Sequence, residues 1–186
     1  MAKNEGFPKP PIVFMDIDGV ANTCRAEVAL NRPDDPIAYA LVKRLCRERF
    51  CELVISSSWR TDPRLLPILA AHNLIGDLAT DWRTRDFGSR SREISDWIER
   101  DGSGRAYWIL DDETFDFTPD QLNRLIQTDT YSGLGLREWE RLDDALRLHD
   151  HPGRLSAAMS HQAYVPIGTT RSDPPKEGHE TWVKEP

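Results

Sequence analysis

The sequence predicts an α/β domain built on a mostly parallel sheet, and three observations carry that prediction. Short uninterrupted apolar runs, of the kind a strand buried on both faces requires, recur along the first 150 residues. Between them lie segments whose apolar residues repeat at helical spacing, so strands and helices alternate. The strongest polar clusters fall directly after the apolar runs, at the expected carboxyl edge of the sheet, where α/β proteins bind ligands.

Pro11-Ile12-Val13-Phe14-Met15 reads as the first buried strand. Ile37 to Phe50 follows as a helix, with Ile37, Leu41, Val42, Leu45 and Cys46 on its apolar side and Lys43, Arg44, Arg47 and Glu48 outside. Glu52-Leu53-Val54-Ile55 is a second strand, stopped by Ser56-Ser57-Ser58. Asp62-Pro63 offers a cap and an N1 proline for a helix carrying Leu65, Leu66, Ile68 and Leu69, which Pro67 is expected to shorten or kink. Asp81 to Arg92 reads as a polar, arginine-rich connection, leading into an amphipathic helix with Ile94, Trp97 and Ile98 inside. After the turn at Asp101-Gly102-Ser103-Gly104 comes a third strand, Ala106-Tyr107-Trp108-Ile109-Leu110. Thr118-Pro119-Asp120-Gln121 has the form of a capping box and starts a short helix. Leu125-Ile126-Gln127 follows as a short strand, and Arg137 to Leu148 as the last helix, with Trp139, Leu142, Ala145 and Leu146 on one face. The periodicity stops at His151. The expected organisation is an extension over 1–10, a domain over 11–151 and an extended tail over 152–186, in which Tyr164, Val165, Ile167 and Trp182 are candidates to dock on the domain.

Twenty-four Lys+Arg against 31 Asp+Glu give a net charge of −7. That balance argues against a protein that coats nucleic acid or anionic membrane by bulk charge. No apolar run approaches membrane-spanning length, and Met1 to Pro11 has no apolar core, so secretion and membrane insertion have no support. Cys24, Cys46 and Cys51 form no C-x-x-C pair, and their odd number suits reduced thiols in a cytoplasmic protein.

Three polar clusters at strand ends carry the chemistry. In Asp16-Ile17-Asp18-Gly19-Val20, two carboxylates two residues apart can converge on one cation, and Gly19 permits the tight turn. Carboxylate and carbonyl oxygens suit a hard cation, with Mg²⁺ the expected cofactor where phosphate also binds. Ser56-Ser57-Ser58-Trp59-Arg60 presents hydroxyls and free backbone N–H groups suited to phosphate oxygens. Asp111-Asp112 sets two acids side by side at a buried strand end, a cost that a metal resolves. Taken alone, each cluster also has a plain reading: an acidic loop capping the sheet, a turn whose serines bond their own backbone, and a solvated turn. Asp16, Asp18, Asp111 and Asp112 together hold four charges of the seven-charge excess.

Taken in order, these clusters resemble the four motifs of the haloacid dehalogenase (HAD) superfamily: Phe14 to Val20, Val54 to Arg60, a basic residue opening a helix, and Ile109 to Asp112. The wording SSSWR, the stretch Arg90 to Ile98, and Thr128-Asp129 followed by Gly133-Leu134 look like the small HAD domains of RNA-repair and polynucleotide 3′-phosphatase-like proteins. The resemblance spans roughly residues 11 to 148. It implies a Rossmann-like three-layer sandwich and a phosphatase that works through an aspartyl-phosphate, with Asp16 as nucleophile and Asp18 as general acid and base. Mg²⁺ would be held by Asp16, by Asp18 through its carbonyl, and by Asp111 or Asp112. Ser57, with the Ser58 N–H or with Ser58 in its place, would hold phosphate oxygens. The family's usual third-motif lysine is absent here, and Arg90 is the best positional match, with Arg92 as substitute.

The gaps Val20 to Glu52 and Arg60 to Ser89 leave no room for a large cap domain, so a minimal-cap enzyme with an open cleft is expected. Such a cleft favours a bulky phosphate monoester: a nucleic-acid 3′-phosphate end or a nucleotide, with 5′-nucleotidase-like or phosphoprotein substrates as rivals. A HAD shell that binds without turnover is the reading from a different class. Trp59, Trp97, Trp108 and Trp139 fit packing, Trp82 is the candidate for substrate stacking, and His149 and His151 read as a solvated helix end.

Overall fold

The computed structural model describes residues 9–102 and 104–150. The expected tail, its docking residues, His151 and nearly all of the N-terminal extension lie outside them. Five strands form one sheet: β1 (Ile12–Met15), β2 (Glu52–Ile55), β3 (Leu78–Arg83), β4 (Tyr107–Asp111) and β5 (Leu125–Gln127), in the order β3-β2-β1-β4-β5. Every neighbouring pair is parallel, so the connections must cross over the sheet, and helices supply them. They are α1 (Cys24–Leu30), α2 (Pro36–Arg49), α3 (Leu65–Ala71), α4 (Arg90–Arg100), α5 (Pro119–Leu122) and α6 (Leu136–Asp150).

Alternation along β1 explains the three layers. Val13 and Met15 face a core shared with Tyr39, Val42 and Leu45 of α2, Leu65 and Leu69 of α3, and Trp139, Leu142 and Leu146 of α6. Ile12 and Phe14 face the other side, where Ile94 and Trp97 of α4 complete a smaller core and Trp97 stands edge-on to Phe14 at 5.4 Å. All four β1 residues are fully buried, as a central strand covered on both faces must be. Neither long connection folds as a separate domain among the described residues. No described helix is long and apolar enough to cross a membrane.

Local chemistry sets the helix ends. Asp35 caps α2 by accepting from the Ile37 N–H at 2.9 Å, and Pro36 occupies the first helical turn, where its missing N–H costs nothing. Thr118 and Gln121 form the expected reciprocal capping box of α5. Three differences from the sequence reading have simple causes. α1 was not anticipated because only Ala26 of its seven residues is buried, which leaves no periodic signal. β3 hides in the supposed connection because it is an edge strand with one fully buried residue, Ala79, and an irregular register against β2. α3 starts two residues after Pro63, so Pro67 falls in its first turn, where no N–H is needed.

One charged contact ties α2 to α6. Asp143, 4% exposed, accepts from Arg49 Nε at 2.5 Å and from an Arg49 Nη at 2.8 Å, with Arg147 adding a third bond at 2.8 Å. The hydrogen bond and charge of Arg49, outweighing the effect of burial, hold the Asp143 carboxyl below its ordinary value. Asp143→Asn is expected to lower the unfolding free energy by about 2 kcal/mol at pH 7, read from the urea midpoint. The charge-dependent part of that difference is complete above the unfolded-state value near 4 and is lost as pH falls through the lower folded value. The gap between variant and wild type should therefore hold from pH 7 to pH 5 and narrow below pH 4.

Candidate active site

Strand register assembles the site. β1 runs in step with both neighbours, Met15 lying opposite Ile55 and Leu110, so the next residues, Asp16, Ser56 and Asp111, emerge side by side. The Asp16 N–H donates to the Leu110 carbonyl at 2.9 Å and the Ser56 N–H to the Met15 carbonyl at 3.1 Å. Asp16 and Asp111 are buried and Asp112 is half-buried, and one carboxylate oxygen from each lies within 4.8 Å of the others. Arg90, the first residue of α4, reaches in between: an Nη lies 3.3 Å from Asp16 Oδ1 and 2.5 Å from Asp111 Oδ2.

One guanidinium does not offset this much buried negative charge. Burial raises the Asp16 carboxyl above its ordinary value, against the opposing effects of Arg90 and of hydrogen bonds from Ser57 and the Ile17 N–H. Asp111 is pushed up to about 7, again by burial first, with Arg90 opposing and Asp16 adding repulsion. Three hard oxygen donors this close, short of positive charge, fit a divalent cation such as Mg²⁺.

The turn after β1 is built to let Asp112 approach. Gly19 has φ +72°, and a Cβ there would lie 2.3 Å from the Asp112 carboxylate, so both backbone and space demand glycine. Thr130 Oγ1 donates to Asp112 Oδ2 at 2.6 Å, and Thr128 Oγ1 to the Gly19 carbonyl at 2.7 Å. Gly133, at φ +65°, leaves no room for a side chain between Thr23 and the Val20 carbonyl, and beside it the Leu134 N–H donates to that carbonyl. The 128–134 segment thus braces the first motif.

Asp18 stands outside this cluster. Its carboxylate is exposed and accepts from the Trp59 indole N–H at 2.8 Å and from Asn22 Nδ2 at 3.1 Å, and it is not among the three clustered acids. Trp59, read from the sequence as a packing residue, does pack against the larger core, but its polar edge holds Asp18.

The three serines diverge. Ser56 is fully buried, and its Oγ has no partner among the described residues. Ser57 hydrogen-bonds Asp16 and caps the 3₁₀ turn Ser58–Thr61 by accepting from the Trp59 N–H at 3.3 Å. Ser58 is exposed and lines a cleft. Arg92 does not reach the carboxylates: it is exposed, with its guanidinium 5.2 Å from the centre of the Phe87 ring. Trp82 lies half-buried on β3 against the core, and His149 stands edge-on to Trp108 at 5.8 Å.

The sequence reading missed the bond that joins the serine turn to α4. Arg60, 7% exposed, donates to the Ser57 carbonyl at 2.9 Å, to the Ser56 carbonyl at 3.3 Å and to Glu93 Oε1 at 3.1 Å. Glu93, also buried, accepts from the Phe87 N–H at 3.1 Å. Helical periodicity was the available signal, because Arg90, Glu93 and Trp97 share one face of α4 and Arg92 does not. The N-terminus of α4 is further tied to Asp116, which accepts from the Arg90 N–H and from Ser89 Oγ at 3.0 Å. Beside these groups opens a cleft of about 390 Å³ lined by Ser58, Arg60, Arg90, Asp111 and the loop between β4 and α5.

The raised carboxyl of Asp111 predicts a stability cost. The folded chain holds this proton more tightly than the unfolded chain, so ionisation destabilises the fold increasingly as pH rises from about 4 towards 7. In chelator, Asp111→Asn is expected to melt above the wild type at pH 8, with the difference shrinking towards pH 5. Calorimetric melting at the two pH values checks this, and a variant that melts lower at pH 8 contradicts it.

Residues 12–139 match the family described as the HAD domain in Swiss Army Knife RNA repair proteins. No curated protein and no solved structure matches the chain. The matched span runs from the first residue of β1 into α6 and takes in the acidic cluster, the serine turn and Arg90. The chain belongs to this family and is a HAD-superfamily hydrolase of the RNA-repair-like kind.

Proposed function

We propose that the protein is a Mg²⁺-dependent phosphatase that hydrolyses a phosphate monoester on a nucleic-acid 3′ end or a nucleotide. The observation that carries this reading is Asp16, buried at the carboxyl edge of the central strand, with Asp111, Asp112 and Arg90 gathered round it. The family's association with RNA repair supports a nucleic-acid substrate.

In this mechanism an Asp16 carboxylate oxygen attacks phosphorus in line, and the bond to the leaving oxygen breaks. Asp18, outside the acidic cluster and steadied by Trp59 and Asn22, gives its proton to the leaving oxygen. It then takes a proton from the water that cleaves the aspartyl-phosphate. Ser57 and the backbone N–H of Ser58 hold non-bridging oxygens, and the Arg60–Glu93 pair fixes the turn that presents them. Arg90 neutralises phosphate charge and, unlike lysine, does so without ever losing its proton. A divalent cation held by Asp16, Asp111 or Asp112, and the Asp18 carbonyl would supply charge neutralisation at the phosphate.

A shell that binds without turnover is favoured by one observation: Arg90 pairs with both Asp16 and Asp111. One assay separates the readings. Phosphate release from 3′-phosphorylated oligonucleotides, free nucleotides and phosphopeptides is measured for wild type and Asp16→Asn, with and without Mg²⁺. The phosphatase reading expects cation-dependent release, fastest on 3′-phosphorylated ends, and a loss on the order of 1,000-fold or more in the variant. No release from any ester overturns it.

A further inference from the structure

The cleft beside the carboxylates has one wall that the hydrolytic mechanism does not use. After Asp111-Asp112 the chain turns through Glu113, Phe115, Asp116 and Phe117, all of which line the cleft. Phe117 packs against the smaller core and anchors the loop, whereas Phe115 leaves 81% of its surface exposed. A large ring held in water on an anchored loop, beside a reaction centre, is a surface waiting for a flat apolar partner.

Charge decides what that partner can be. The lining sets two arginines, Arg60 and Arg90, against five carboxylates: Asp86, Glu93, Asp111, Glu113 and Asp116. Both arginines are already committed, Arg60 to Glu93 at 3.1 Å and Asp86 at 3.4 Å, Arg90 to Asp111 at 2.5 Å and Asp16 at 3.3 Å. No cation remains in the lining to meet a second phosphate, so a phosphodiester backbone running along this cleft would be repelled. What the walls do offer is a π face at Phe115 and carboxylate acceptors, with Glu113 exposed beside it. A nucleobase matches that pair of features, having a ring face to stack and N–H groups on its edge. The volume of about 390 Å³ lies within the range of small-molecule pockets.

We infer that this cleft is a nucleobase site. The base of the nucleotide carrying the scissile phosphate stacks on Phe115 and turns its N–H edge towards Glu113, while the rest of a polynucleotide leaves the protein on another path. The placement of the phosphate rests on the phosphatase reading above. The base contact itself is testable apart from turnover.

Two 3′-phosphorylated oligonucleotides are compared, identical except that one ends in adenosine and the other in an abasic residue. The wild type should favour the adenosine end in kcat/KM. Phe115→Ala should lose roughly 5- to 100-fold on that substrate, mainly through KM, and so erase the preference. Phe50→Ala is the control: Phe50 is equally exposed and follows α2 at the opposite, amino edge of the sheet, so the preference should persist. Binding of the same two oligonucleotides to Asp16→Asn, measured by calorimetry with Mg²⁺, reads the base contact without hydrolysis. If the wild type releases no phosphate, a binding preference for the adenosine end upholds the base site and overturns only the phosphatase reading. Equal handling of the two ends by wild type, or a preference that survives Phe115→Ala, overturns the base site.

Discussion

Two parallel strands that run in step bring the side chains at their carboxyl ends together, and here an aspartate directly follows β1 and another ends β4. Because Met15 pairs with Leu110, Asp16 and Asp111 cannot avoid each other, and Gly19 lets Asp112 join them. The repulsion this creates is built into the sheet, because separating the carboxylates would mean breaking the register of its central strands. Much of the surrounding structure answers that crowding. Arg90 reaches in from α4, Ser57 hydrogen-bonds Asp16, and Thr130 donates to Asp112. The raised carboxyls of Asp16 and Asp111 mark what those contacts leave uncompensated, which is the condition a divalent cation relieves.

The buried Arg60–Glu93 pair makes the arrangement rigid. Its cost is the desolvation of two charges, and a buried pair is weak evidence for stability. Its geometry has another use. The same guanidinium holds the carbonyls of Ser56 and Ser57, and the same carboxylate holds the Phe87 N–H at the approach to α4. The serine turn and the helix that carries Arg90 are therefore joined to each other by this contact. Trp59, one residue before Arg60, links the turn to Asp18 as well.

Much of this was legible from local pattern. Continuous apolar runs gave away the strands because central strands are buried on both faces, and their polar exits pointed to one edge of the sheet. The capping box of α5 and the apolar face of α6 were equally plain. β3 and α1 were not, for the same reason: each buries a single residue fully, so neither imposes a period on its composition. Trp82 drew attention by standing among polar residues, yet that polarity belongs to an exposed sheet edge. Phe115, which stands open on the cleft beside the clustered carboxylates, sits in a loop where no period applies.

The sequence by itself determined the fold class, the order of the motifs and the clustering of acids and hydroxyls at strand ends. Those features depend on neighbours within a few positions, where the 2.0 and 3.6 residue periods operate. Only the tertiary structure decided which arginine meets Asp16 and Asp111, that Arg60 joins Glu93 across 33 positions, and that Trp59 turns its indole N–H to Asp18. Those pairings depend on strand order and on the placement of each helix over the sheet. Side chains far apart along the chain become partners only when the sheet has fixed where their backbones lie.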